Sequence, residues 1–539
     1  GKCRTPGTLM IPQPSERRFR GIASALAALL LLVAFSCHEL WRDEGQAWLL
    51  ARDASGFGAL FTGEARAYEG HPFAWFWLLR AVSLVSGSYL ALQGTSFLIT
   101  VANALLLLRL PGLPRWSRGL LALSYFSVFE FGVLARSYGL ALLLLLLALR
   151  ANSSPRGSRP LAVAALAGLA VNTVLLAFPA AALVVGVTCL EPLKAFFSRG
   201  SAPGRGRAAL TALAAGAIFA LAVLLAQVTT PVPSDAVAQL APWPPLDVAL
   251  LRVLGERLLT AFCPIPALGS GDAWWNSNVF VAMPAETPRL PAAGILPALV
   301  GLAWLTAWVW VLRRQPALAA GLAATALFVL LVAVRLPFRA IRYEGHVMLC
   351  VIVAVGLACA LRPSLAEERP FAWLMALTFG ASAVGTASAL GHDALYPFSE
   401  SHDAARLLAD SQHAGAPLIG LEYYRMASLA TYLNRPLYSA EHGRPLSYGI
   451  WATTWHHPGY FSASREVVLR GVCYAARAAR PGRPAYLVNS GELRFDPQFA
   501  AEIRLEQAFV ASRLESFRIY RVEPKGGGSP LLSLCGAAP

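Results

Sequence analysis

The chain has 539 residues, of which 56% are hydrophobic and only 14% charged, and its mean hydropathy is +0.53. That balance excludes a soluble globular protein of this length and predicts a polytopic membrane protein with the lipid bilayer as its surroundings. The formal charge of +15 does not point to nucleic acid, because most Lys and Arg sit in short loops between apolar runs, where they set topology.

In chain order, residues 1–20 are basic and are expected in the cytoplasm. The first apolar run, Gly21 to Cys37, follows SERRFR and is expected to remain as a span rather than a cleaved leader. Further runs lie at 89–108, 119–134, 138–150, 161–172, 175–190, 208–227, 291–312, 317–335, 343–361 and 370–390. Together they predict about eleven transmembrane helices within a domain of residues 21–390. With the N-terminus inside, each alternate loop is basic: RLPGLPRWSR (109–118), RANSSPRGSR (150–159), KAFFSRGSAPGRGR (194–207), RRQ (313–315) and RPSLAEER (362–369). The outer segments are then 38–88, the turns near 134–137, 172–174 and 335–342, the stretch 228–290, and everything after 390. HPFAWFWLLRAVSLV (71–85) would invert the next basic loops if it crossed, so it is expected to lie in the outer interface as an amphipathic helix.

Residues 391–539 have ordinary polarity. Helices are expected at 401–413, YYRMASLATYL and Ser464–Arg480, and strands at PLIGLE, PLYSA, PAYLVN and FRIYRVE. This alternation predicts a small extracytoplasmic α/β domain with a mostly parallel sheet. It holds no phosphate-binding glycine motif, so no nucleotide is expected there. The eight cysteines show no metal-ligand spacing. Cys473 and Cys535 could pair if their domain is outside, but the expectation is that they stay unpaired. Abundant Ala, Leu, Arg, Gly and Pro suggest a bacterial source.

Three outer segments carry polar groups on one face. The first holds Asp43, Glu44, Glu64, Glu69 and His71; the second, FEFGVLARSYG, holds Glu130, Arg136 and Tyr138; the third, RLPFRAIRYEGH, holds Arg335, Arg339, Arg342, Tyr343, Glu344 and His346. Carboxylates and arginines at one edge of an apolar bundle mark a candidate functional site. Bland readings stand beside this one. Asp43 and Glu44 could cap the helix that follows, though one Asp would suffice. Arg136 and Arg342 could be snorkelling headgroup anchors, and His71 before Pro72 could only start the interfacial helix. Trp274 and Trp275 are expected in an interfacial belt rather than as a sugar platform.

A carboxylate to position and deprotonate a hydroxyl, with guanidinium groups for a departing lipid phosphate, suits glycosyl transfer from a lipid-linked donor. The stretches LWRDEGQAWLLAR, GHPFAWFWLLR, EFGVLARSYGLALLLLLL and IRYEGHVML resemble the GT-C glycosyltransferases. The likeness is to the branch of bacterial protein-O-mannosyltransferases, lipid A aminoarabinose transferases and rhizobial core transferases, and covers residues 20 to 360. The resemblance implies a GT-C fold and a hexosyl- or pentosyltransferase. It implies inverting transfer from a polyprenyl-phosphate sugar to a lipid, glycan or protein acceptor outside the bacterial cytoplasmic membrane. It makes Asp43 the base or acceptor-positioning group with Glu44 beside it, and Arg136, Arg342, Tyr343 and Arg339 the donor-phosphate contacts. His71, Tyr138, Glu130 and Trp41 are then substrate contacts. The sequence departs from the family pattern at Phe73, where a second Pro is usual, and at Ala135, where many relatives have Glu. No Asp stands where oligosaccharyltransferases carry their acidic metal motif, so no metal or other cofactor is expected. The rival reading is a lipid or sugar transporter, but no span has a central acid and the chain's halves do not repeat.

Overall fold

The computed structural model describes residues 14–63, 66, 69–153, 159–198, 205–230, 245–268, 271–281, 291–335, 340–449, 464–480, 482–511, 515–526 and 528–536. Its first part is helical: α1 (Pro14–Cys37), α2 (Arg42–Asp53), α3 (Phe57–Thr62), α4 (Ala74–Ser83), α5 (Tyr89–Leu107), α6 (Arg115–Ala122), a π-helix (Phe126–Val133), α7 (Ser137–Asn152), α8 (Arg159–Val171) and α9 (Phe178–Phe197). There follow α10 (Arg205–Val228), α11 (Val248–Phe262), α12 (Pro291–Val311), α13 (Pro316–Arg335), α14 (Ile341–Leu361) and α15 (Arg369–Leu395).

Among the described residues, 7 helices are long and apolar enough to cross a bilayer, and α7, α8 and residues 295–311 are shorter apolar helices. Their outer faces are apolar. Ile22, Leu26 and Leu29 on α1, and Leu210, Leu213 and Leu221 on α10, are each more than half exposed. Water would not tolerate such continuous stripes; lipid covers them, and the chain is a multi-pass membrane protein. The α14 helix runs through the middle of the bundle, with 89% of its apolar window buried.

One expected span is broken. The run 119–134 divides into α6 and the π-helix, because the Tyr125 N–H leaves the helical ladder to donate to Ser382 Oγ at 2.9 Å. The stretch 228–290, read only as an outer loop, contains α11, started by Asp247, whose carboxylate accepts the Leu250 N–H at 2.9 Å. This helix meets α12 backbone to backbone: a Cβ on Gly301 would stand 1.9 Å from the Gly255 carbonyl oxygen. Helix α4 has 10 residues, about 15 Å of length, which is too short to cross.

The C-terminal part contains α16 (Ser401–Ala409), β1 (Leu418–Gly420), α17 (Met426–Leu433), β2 (Leu437–Ser439), β3 (Arg444–Leu446), α18 (Arg465–Ala478), β4 (Ala485–Asn489), β5 (Ile503–Phe509), β6 (Phe517–Val522) and α19 (Pro530–Gly536). The sheet order is β3-β2-β1-β4-β6-β5. Only β2, β1 and β4 run parallel, with Ile419 opposite Tyr438 and Leu487; β3, β6 and β5 join antiparallel. The sheet is therefore mixed rather than mostly parallel. The strands that sequence patterning missed are the edges: β3 is three residues with a central Pro, and β5 leaves Leu505 exposed.

Cys473 on α18 and Cys535 on α19 form a disulfide, contrary to the expectation of unpaired thiols. Sequence spacing carries no information about the docking of α19 on α18 that brings them together. Replacing both by Ser is expected to cost the tail about 2–4 kcal/mol. Limited proteolysis and thermal melting of the full chain would read this loss, and an unchanged profile would refute it.

The tail is seated on α2. Glu515 accepts the Arg42 N–H at 2.9 Å and the hydroxyls of Ser399 and Ser428 at 2.9 Å. Tyr432 takes the Leu40 N–H at 2.8 Å, and Gly45 lets α2 press against the Ala427 carbonyl of α17. Gln46 exchanges two hydrogen bonds with the Gly449 backbone, at 2.7 and 2.9 Å.

Candidate functional site

The adjacent acids of α2 have opposite surroundings. Both stand in the first helical turn, where carboxylates are favoured by unpaired N–H groups and the helix dipole. Glu44 is fully buried and fully engaged. One oxygen accepts the N–H of Trp41, the residue that starts the helix, at 3.0 Å and meets His38 Nε2 at 3.2 Å; the other accepts the Ala135 N–H at 2.6 Å. His38 meets Asp393, at the end of α15, through Nδ1 at 2.9 Å. Burial disfavours a charged imidazole there, but the carboxylates of Asp393 and Glu44 prevail and push it up to about 10. Glu44 thus acts as a tie between the end of α1, the start of α2 and the segment before α7. His38 and Asp393 were not singled out from the sequence; their separation of 355 residues left no local signal.

Asp43 lies about 100° further round the helix and faces the bundle. It accepts a hydrogen bond from Arg136 Nη1, with Arg342 Nη1 at 3.5 Å and Arg42 Nε at 3.7 Å. Its side chain keeps 18% of its surface accessible, so a substrate can reach it. Burial pushes its pKa up, but Arg136, Arg342 and Arg42 outweigh that and hold it below the usual carboxylate range.

Arg136 precedes the first turn of α7, and the Glu44–Ala135 bond fixes the backbone that carries it. Tyr138 is buried beside it, its hydroxyl 3.4 Å from His71 Nε2 and its ring stacked on Phe131 at 5.3 Å. Burial, and then Arg136 and Arg342, keep His71 well below the ordinary histidine value. Glu130, on the π-helix, is 1% exposed, and neither of its oxygens has a hydrogen-bond partner among the described residues.

The structure therefore brings Asp43, Glu44, His71, Glu130, Arg136, Tyr138 and Arg342 to one end of the bundle. Tyr343 adjoins through the Arg342 guanidinium, 5.6 Å from its ring centre. Trp41 is buried against Trp275 at 5.1 Å and packs rather than presenting a surface. Trp274 and Trp275 are likewise buried, against Phe129, His392 and Phe398, and do not form an exposed belt. Arg339 and Glu64 lie outside the described residues. Sequence reasoning missed Arg257, which α11 delivers to Glu344 at 2.8 Å.

The chain matches no protein-family model and no curated protein sequence. Among solved structures it is similar to ArnT from Cupriavidus metallidurans in the apo state, at 17% identity over 96% of this chain and 99% of that one, with a TM-score of 0.42. The same protein bound to undecaprenyl phosphate gives 18% identity over 93% and 97% of the two chains, with a TM-score of 0.39. At this level of likeness, function is argued from the residues themselves.

Proposed function

We propose that the chain is a GT-C-type membrane glycosyltransferase that moves a hexose or pentose from a polyprenyl phosphate to an acceptor hydroxyl. The observation that carries this reading is Asp43: an accessible carboxylate held by two arginines from two other segments of the chain. A carboxylate in that setting is ionised and a poor base at rest. An arriving phosphate competes for Arg136 and Arg342, and as they turn to it Asp43 regains basicity beside the reacting centre.

The acceptor oxygen then attacks the anomeric carbon from the face opposite the phosphate. The carbon–oxygen bond to the lipid phosphate breaks, the phosphate leaves with the electron pair on Arg136 and Arg342, and the hydroxyl proton passes to Asp43. One displacement inverts the anomeric centre. Glu44 positions, through the Ala135 N–H, while Tyr138 and His71 border the reacting centre and Tyr343 flanks the phosphate contacts.

The site and the tail belong on the extracytoplasmic side of the bacterial inner membrane. The Cys473–Cys535 disulfide supports this, since such bonds persist in oxidising compartments. The test is a lipid extraction from a deletion strain restored with wild type or Asp43→Asn. One polyprenyl-phosphate sugar is expected to accumulate in the deletion and the Asp43→Asn strain only. Unchanged lipids together with wild-type behaviour of the variant would defeat the proposal.

A further inference from the structure

Buried polar atoms without hydrogen-bond partners are rare in folded proteins, because each forfeits its hydration. Next to Asp43 they occur as a group. Glu130 is 1% exposed with both oxygens unpartnered; Glu344 is fully buried and uses only Oε1, on Arg257, leaving Oε2 unpartnered. Arg257 Nε, His346 Nε2, and Arg342 Nε and Nη1 also lack hydrogen-bond partners.

These atoms share one region. Glu130 lies within electrostatic reach of Arg342, Arg136, Glu344 and Asp43. His346 Nδ1 faces the Arg342 carbonyl at 2.8 Å, and its ring is 5.6 Å from that of Tyr138. Gly345 allows the first turn of α14 to press on the π-helix, since a Cβ there would stand 2.6 Å from the rings of Phe126 and Phe131. That contact seats beside the π-helix the turn that carries Glu344 and His346, one on each side of Gly345. From Arg342, which reaches Asp43, they continue two and four residues further along α14, deeper in the bundle.

Donors and acceptors alternate in this group, and that pattern selects a ligand class. An ammonium only donates and would face Arg257 and Arg342. A carboxylate only accepts and would face Glu130 and Glu344. A hydroxyl does both, and a carboxylate can accept from two neighbouring ring hydroxyls. We infer that Glu130, Glu344, Arg257 and His346 form the pocket that selects a neutral, polyhydroxylated sugar ring and rejects a uronic acid. This rests on the transferase reading and adds to it the class of sugar and the residues that choose it.

The test uses the full chain in lipid nanodiscs and short-chain prenyl phosphates, bare or carrying a gluco-, manno-, galacto- or xylo-configured neutral sugar or a glucuronate. At least one neutral sugar is expected to bind about tenfold or more tighter than the bare prenyl phosphate, and the glucuronate no tighter than it. Glu344→Gln and Glu130→Gln are each expected to remove most of that gain. If Glu344→Gln fails to fold for loss of its Arg257 partner, Glu130→Gln decides, because its carboxylate leaves no hydrogen-bonded partner stranded. Binding of the bare lipid with no gain from any neutral sugar, tighter binding of the glucuronate, or an undiminished gain in Glu130→Gln would overturn the pocket alone. Failure of every prenyl phosphate to bind would overturn the transferase reading and the pocket with it.

Discussion

Purified Asp43→Asn protein is expected to transfer sugar roughly 10²–10⁴-fold more slowly than wild type while keeping its fold and its hold on the lipid phosphate. Asn has nearly the same shape and retains a carbonyl oxygen for Arg136, so the packing of α2 survives. What it lacks is the charge and the capacity to take a proton. Because the substitution leaves Arg136 and Arg342 without their anionic partner, affinity for a bare prenyl phosphate should rise while turnover falls. A structural role alone would lower both together. Wild-type turnover, or a parallel loss of binding and rate, would remove Asp43 from the mechanism. The pH dependence has a definite sign. The Asp43 carboxyl is held below its unfolded value by the three arginines. Its ionised contribution is therefore complete above the usual Asp range near ~3.9 and is lost only as pH falls through the lower folded value.

The second large effect concerns stability. Glu44→Ala is expected to cost about 3–5 kcal/mol, the range for stranding a buried charge and its hydrogen-bond partners. It leaves the His38 imidazolium facing Asp393 alone, and it frees the N–H groups of Trp41 and Ala135 inside the protein. Glu44→Gln should be only a partial rescue, because its amide NH₂ must oppose a donor from one side or the other. Denaturation of the full chain as a function of pH separates this from simple loss of packing. His38 is raised to about 10 in the folded protein. Its stabilisation is fully present below the unfolded histidine value of ~6.5 and disappears as pH rises through the folded value. Glu44→Ala should flatten that alkaline loss. Equal stability of wild type and Glu44→Ala at neutral pH would show that the tie carries no weight.

Periodicity and charge made most of the bundle legible. The apolar runs became helices because a lipid-facing or fully buried helix needs only length and hydrocarbon, both of which are local properties. The run 119–134 misled because its interruption comes from Ser382, a hydroxyl more than 250 residues away that captures the Tyr125 N–H. Helix α11 was hidden because Arg252, Glu256 and Arg257 interrupt its apolar run, and its close approach to α12 at Gly255 and Gly301 is a tertiary feature. Trp274 and Trp275 resembled interfacial anchors since indole rings serve both uses, and only packing against Phe398 and His392 distinguishes them.

The candidate site divides along the same line. Residue type and spacing alone set out which groups are available: the paired acids of RDEG, the arginine before Ser137, and the Arg-Tyr that begins α14. Tertiary structure decided their roles. Neighbours on a helix point about 100° apart, so two acids that look equivalent in the sequence meet different partners. Asp43 faces Arg136 and Arg342 and stays accessible; Glu44 faces His38, Trp41 and Ala135 and is sealed. Burial, partner charge and hydrogen bonding act over a few ångströms of space, and the chain brings Asp393 and Glu515 into that space from hundreds of residues away. No local pattern encodes that distance, because it results from how helices and sheet pack against one another.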